Sequence, residues 1–115
     1  MNNVQFIVNP KKIAWKLYET QIVQLYKPNI LILDCGGWIT ATTAKNMNKV
    51  LSDCEIPVRV KIKTVKIGAD KVKKIFATTR MIEDGREVYA DFEFTNTPFK
   101  FTHESVIKIF EEEEG

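Results

Sequence analysis

Arg59, Lys61 and Lys63 occupy alternate positions of Val58-Arg-Val-Lys-Ile-Lys63, and Lys66, Lys71, Lys73 and Lys74 follow before residue 75. Seven cations against one carboxylate, Asp70, make 59–74 the most basic stretch of the chain. On an extended backbone, period-two spacing projects Arg59, Lys61 and Lys63 from one face, so their charges add toward one partner. A phosphate backbone answers such a row through counterion release. Tyr18, Tyr26, Phe76 and Tyr89 supply ring faces on which bases can stack. The same residues have a second reading, as an edge strand kept from self-association by its lysines.

A second constellation surrounds Cys35-Gly-Gly-Trp-Ile-Thr-Ala-Thr-Thr-Ala-Lys45. A glycine pair followed by hydroxyl residues suits a strand-to-helix turn. Gly36, Gly37, Thr42, Thr43 and Lys45 are accordingly a candidate anion site built on helix-start amides. The Gly-Lys-Thr ending of a phosphate loop is absent. The alternative is structural, with glycines making the turn, threonines capping the helix and Trp38 buried as a core anchor. Cys35 as a nucleophile would need a base, and the one histidine, His103, lies 68 residues on. Position 41, where a thiol phosphatase loop needs arginine, is alanine. One histidine and two cysteines do not supply a four-ligand zinc site. Glu87, Asp91 and Glu93 alternate along one strand face and read as solvated carboxylates rather than a glycosidase pair. No catalytic residue, metal or cofactor is expected.

Composition supports a binding domain. The chain has 115 residues, 44% hydrophobic and 28% charged, enough for one domain with its own core. Net charge is +2, yet residues 1–82 carry +9 and residues 83–115 carry −7. That asymmetry fits either an anionic partner or neighbouring acidic and basic strands. No apolar run is long enough for a membrane span, and the start lacks the features of a secretory signal, so a cytoplasmic protein is expected. Cys35 and Cys54 are expected to be free thiols.

Periodicity along the chain sets the secondary structure on which these residues sit. Ile13 to Tyr26 alternates with a phase shift near Glu19–Gln21, the pattern of one long bent or bulged strand. Lys27-Pro-Asn29 turns the chain, and Ile30 to Cys35 is an apolar strand. A helix is expected over about 41–54, with Ala44, Met47, Val50, Leu51 and Cys54 inward and Lys45, Asn46, Asn48 and Lys49 outward. Pro57 stops it. Strands then follow from Val58, with Val58, Val60 and Ile62 facing a core, and Asp84-Gly85 marks a hairpin. Phe99 to Phe110 suits a short strand and a helix capped by Thr102, with Glu111–Glu114 fraying. The expected architecture is α+β, an antiparallel sheet of about five strands with one main helix across a face and a short C-terminal helix, all one domain spanning 1–115.

At Gly36-Gly37-Trp38-x-Thr40-x-Thr42-Thr43-x-Lys45-x-Met47-Asn48 the chain resembles a group of small bacteriophage-type proteins of unassigned activity. They share a Gly-Gly-Trp/Tyr-x-Thr-x-Thr-Thr pattern just after an apolar strand, and Asn46 stands here where a basic residue is expected. The resemblance implies phage origin, hence the host cytoplasm, and a small protein that binds nucleic acid or a host protein. Besides an enzyme using Cys35 or the Gly36–Thr43 turn on a nucleotide, two functions remain. One is a non-catalytic accessory protein holding nucleic acid through the basic strand pair 59–74. The other is an inhibitor or modulator that binds a single protein target.

Overall fold

The computed structural model describes residues 4–114. Strands β1 (Val4–Asn9), β2 (Lys12–Leu17), β3 (Thr20–Tyr26) and β4 (Ile30–Leu33) form an antiparallel meander. Helix α1 (Ala41–Asp53) follows. Strands β5 (Val58–Ile67), β6 (Asp70–Glu83) and β7 (Arg86–Glu93) make a three-stranded antiparallel sheet. Strand β8 (Phe99–Thr102) then returns to the first sheet beside β4, and helix α2 (Glu104–Glu114) closes the chain. The fold is α+β, as the periodicity suggested, but the single sheet of about five strands expected from it is divided: β5–β7 form a sheet of their own, apart from the five-stranded sheet of β1–β4 and β8.

Residues 13–26 form a hairpin rather than one bent strand. The chain reverses at Tyr18-Glu19, where Tyr18 has φ 54°. Tight hairpin turns usually signal themselves by glycine or asparagine at such a position, and neither is present. The phase shift in the sequence has a counterpart in the irregular register between Trp15 and Lys16. At Asp84-Gly85 both residues do adopt positive φ, and β6 pairs with β7 through Glu83↔Arg86.

Helix α1 begins at Thr40, whose Oγ1 accepts from the Thr43 amide at 3.2 Å. It ends with two backbone bonds, Glu55 N–H to Ser52 O and Ile56 N–H to Leu51 O. Those bonds close a reversed turn with Glu55 in the left-handed region (φ 56°) and seat Ile56 in the core beside Leu51. Two asparagines depart from the outward face expected for them. Asn46 is buried and donates to Thr42 O at 2.9 Å. Asn48 bonds both backbone groups of Val60, donating to its oxygen at 2.8 Å and accepting from its amide at 2.7 Å. Val60 lies on β5, an edge strand, so this side chain takes the place of a missing neighbouring strand and ties α1 to the second sheet.

His103, rather than Thr102, caps α2: its Nδ1 accepts from the Ser105 amide at 3.0 Å, while its own amide donates to Asn29 O. The Glu111–Glu114 run continues the helix instead of fraying at its start. One contiguous core joins Leu25, Leu31 and Leu33 of the first sheet to Met47 and Leu51 of α1, Val58 and Ile75 of the second sheet, and Val106 of α2. Burying each such side chain stabilises the fold by about 1.5–3 kcal/mol relative to exposure.

Candidate binding surfaces

The inward face of β5 reads Val58, Val60, Ile62, Thr64, Lys66, and that of β6 reads Lys71, Lys73, Ile75, Ala77, Thr79. The switch from apolar to polar comes at the same level on both strands, since Ile62 pairs with Ile75 and Thr64 with Lys73. Beyond that level the β5–β6 hairpin leaves the core: almost every side chain from Lys63 to Lys73 is exposed. The result is a two-stranded arm carrying Lys63, Lys66, Lys71, Lys73 and Lys74 against Asp70 alone. Lys66 lies directly opposite Lys71, and Lys63 opposite Lys74. Like charges in facing positions destabilise a ribbon. Among the described residues, Lys66, Lys71 and Lys73 have no carboxylate within ion-pair distance.

The seven basic residues do not share one face. Arg59, Lys61, Lys63 and Lys74 point outward from the sheet, with Phe76 and Tyr89 among them. Lys66, Lys71 and Lys73 lie on the opposite side of the arm. Tyr18 and Tyr26 belong to the other sheet. The outward cations are also largely engaged. Asp91 of β7 reaches diagonally across β6 to Lys61 Nζ at 2.9 Å and Lys63 Nζ at 3.2 Å, and accepts from Thr78 Oγ1 at 2.7 Å. The Lys61 ammonium, then the Thr78 hydroxyl and Lys63, hold the Asp91 carboxyl well below the usual carboxylate range. Lys74 pairs with Glu93 at 3.3 Å, Lys63 also sits over the Phe76 ring, and Arg59 donates to Val58 O and Ile56 O. The charge asymmetry of the sequence is therefore partly acidic β7 lying near basic β5, with β6 between them. The opposite edge of the outward face is apolar: Val65 faces Val72, and Ile67 at the tip is 54% exposed.

At the start of α1 the expected anion site is dispersed. Gly36, Gly37 and Lys45 are exposed and lie outside the cavity found there, whereas Thr42 and Thr43 line it. Thr43 is occupied with Thr40 through its amide and hydroxyl. Trp38 is 59% exposed, so it is no core anchor. The left-handed backbone at Gly36 (φ 58°) and Gly37 (φ 83°) turns its indole outward to the rim of a cavity of about 230 Å³. A Cβ at Gly36 would collide with the Thr20 side chain, which would have to shift to admit it. Tyr18 of the β2–β3 turn and Thr20 at the start of β3 also line the cavity, a contribution hidden in the sequence because that turn carries no signal.

Cys35 is buried, with its thiol directed at Thr95 O (3.5 Å), and His103 is spent on Ser105 and stacked on Phe101 at 5.7 Å. Both cysteines are free, and burial, then Asp53 and Glu112, push the Cys54 thiol up to about 11. Glu87, Asp91 and Glu93 do share one face, each in an ion pair. Among the described residues no three His, Cys, Asp or Glu side chains cluster as metal ligands, and no helix is long and apolar enough to cross a membrane. Comparison with protein-family models, curated proteins and solved structures gave no match to this chain.

Proposed function

We propose that this chain is a non-catalytic accessory protein that binds nucleic acid, with the β5–β6 arm as its contact element. The carrying observation is the arm itself: Lys66 and Lys71 face each other on a ribbon clear of the core, with Lys73 on the same side and, among the described residues, no carboxylate to neutralise them. Holding like charges together costs the free protein stability, and an incoming polyanion returns it. A lysine-guarded edge needs lysines on β5 alone, whereas here both strands of the arm carry them. A two-stranded ribbon fits the major groove of B-form DNA, and the deep, narrow groove of A-form RNA does not admit it, so duplex DNA is the favoured form. Lys66, Lys71 and Lys73 bind the phosphates in this reading, and Lys61 and Lys63 join if Asp91 releases them. A phage-type accessory protein of the host cytoplasm, the class that the Gly-Gly-Trp-x-Thr-x-Thr-Thr resemblance brings in, fits this role.

The test is binding to mixed-sequence duplex DNA as a function of salt, for the wild type and for Lys66→Gln/Lys71→Gln/Lys73→Gln. Removing one lysine–phosphate pair lowers the slope of log affinity against log salt by about 0.9, so the triple variant should flatten it by about 2 to 3. Wild-type protein that binds neither DNA nor RNA at low salt sinks the reading. A second reading, a modulator of one protein target, draws on exposed Val72 and Ile67 along the other side of the arm. One stoichiometric partner retained after nuclease treatment, and no longer captured by Ile67→Glu, would establish it instead.

A further inference from the structure

The cavity at the start of α1 combines features that the arm does not use. Its floor is made by buried Leu17, Ile22 and Cys35, and Thr20 and Thr42 stand on its walls, while the Thr40 hydroxyl beside them is committed to Thr43. Its mouth is framed by Tyr18, 58% exposed, and Trp38, 59% exposed. Neither ring touches another aromatic ring among the described residues. Two large rings held half in water at one opening leave much apolar surface unburied. The tight β2–β3 turn, which holds Tyr18 at a positive φ, is what sets its ring at this opening.

We infer that this cavity binds a nucleobase, stacked against Trp38 and Tyr18 with its polar edge on the threonine hydroxyls. The chemistry excludes the nearest alternatives. A hydrocarbon would leave the hydroxyl-bearing walls without partners. A free phosphate or carboxylate would find no cationic side chain in the lining. A heteroaromatic ring meets both demands, with π-faces for the two aromatics and edge donors and acceptors for the threonines. The base belongs either to a free nucleoside or to an unpaired position in a strand. The inference does not rest on the arm's binding nucleic acid.

Trp15→Phe leaves Trp38 as the only indole, and that protein can be titrated with adenosine, with cytidine, with a short single-stranded oligonucleotide and with toluene. Saturable quenching of Trp38, with amide shifts at Thr20 and Thr42 in the wild type, is the expected result for a base-bearing ligand. Tyr18→Ala should weaken that binding about tenfold or more, and Trp38→Ala, followed by the amide shifts, should do the same. Response to free nucleosides assigns the site to a free ligand, and response to the oligonucleotide alone assigns it to an unpaired base in a strand. Lys66→Gln/Lys71→Gln/Lys73→Gln should leave nucleoside binding unchanged, which separates this site from the arm. Non-saturating quenching without amide shifts overturns the inference, as does toluene binding as tightly as the nucleosides, or binding indifferent to both aromatic substitutions.

Discussion

Asn48→Ala should be among the most damaging substitutions of a half-buried polar side chain in this protein. The amide of Asn48 satisfies both the N–H and the C=O of Val60, at 2.7 and 2.8 Å, on the side of β5 that has no strand beside it. Val60 is only 5% exposed, so neither group recovers full hydration when the amide is removed. Leaving each of two buried backbone groups unpaired costs about 1–3 kcal/mol, and partial water entry puts the sum at about 2–4 kcal/mol. For a chain of 115 residues, unfolding entropy of about 2.1 cal/mol/K per residue turns that into a Tm lowered by roughly 8–16 °C. Denaturant unfolding followed by circular dichroism gives the free energy, and hydrogen exchange at the Val60 amide reports the local event. Asn48→Asp keeps the acceptor but sets an oxygen against the Val60 carbonyl, so it should be destabilised comparably, and more so once ionised. A loss under about 0.5 kcal/mol for Asn48→Ala, with Val60 exchange unchanged, would refute the idea that this side chain stands in for a strand.

Gly36→Ala should cost about 1–3 kcal/mol, because the new Cβ meets Thr20 and φ is left-handed; Gly36→Ala/Thr20→Ala should recover the steric part, as read by thermal melts. Trp38→Ala should change stability by less than about 1 kcal/mol by the same measurement, well short of the roughly 3–5 kcal/mol for a core aromatic, since most of the indole faces water. Asp91→Asn should free Lys61 and Lys63 and so steepen the salt dependence of DNA binding. Asp91, with its folded pKa depressed, stabilises the wild type above the ordinary carboxylate range, and this contribution is lost as pH falls through the folded value. Acid titrations of the two proteins should therefore diverge at neutral pH and converge at the acid end. Cys54, its thiol pushed up to about 11, should be alkylated at pH 8 at least about tenfold more slowly than an ordinary thiol, as peptide mass spectrometry would show.

Local signals carried much of this fold. Thr40 before Met47, Val50 and Leu51 located α1, Asp84-Gly85 located a hairpin, and the Val58, Val60, Ile62 alternation marked a core face. What stayed hidden depends on partners distant in sequence. The division into two sheets follows from the β4–β8 pairing, which leaves no trace in either segment alone. Asn48 has the composition of a solvated helix face, and only an edge strand brought beside it turns it into a bridge. The basic stretch was legible as charge. Its division between two faces required the register, and the neutralising reach of Asp91 required the neighbouring strand. Trp38 misled because a glycine pair before an aromatic suits a buried corner equally well, and only the φ values at Gly36 and Gly37 decide which way the indole turns.

The return of β8 to β4 also sets a timetable for synthesis. Leu33 pairs with Phe99, so the first sheet stays open on one side while 66 further residues are made. At about 5–20 residues per second that interval is roughly 3–13 s. Throughout it the nascent chain shows the ribosome's surroundings the bare edge of Ile30-Leu-Ile-Leu33, an uncharged strand without the lysines or proline that usually deter a stray partner. Helix α1 emerges early enough to shelter the face of the meander but supplies no strand for that edge. Translation speed between residues 34 and 99 therefore sets how long that edge stays unpaired.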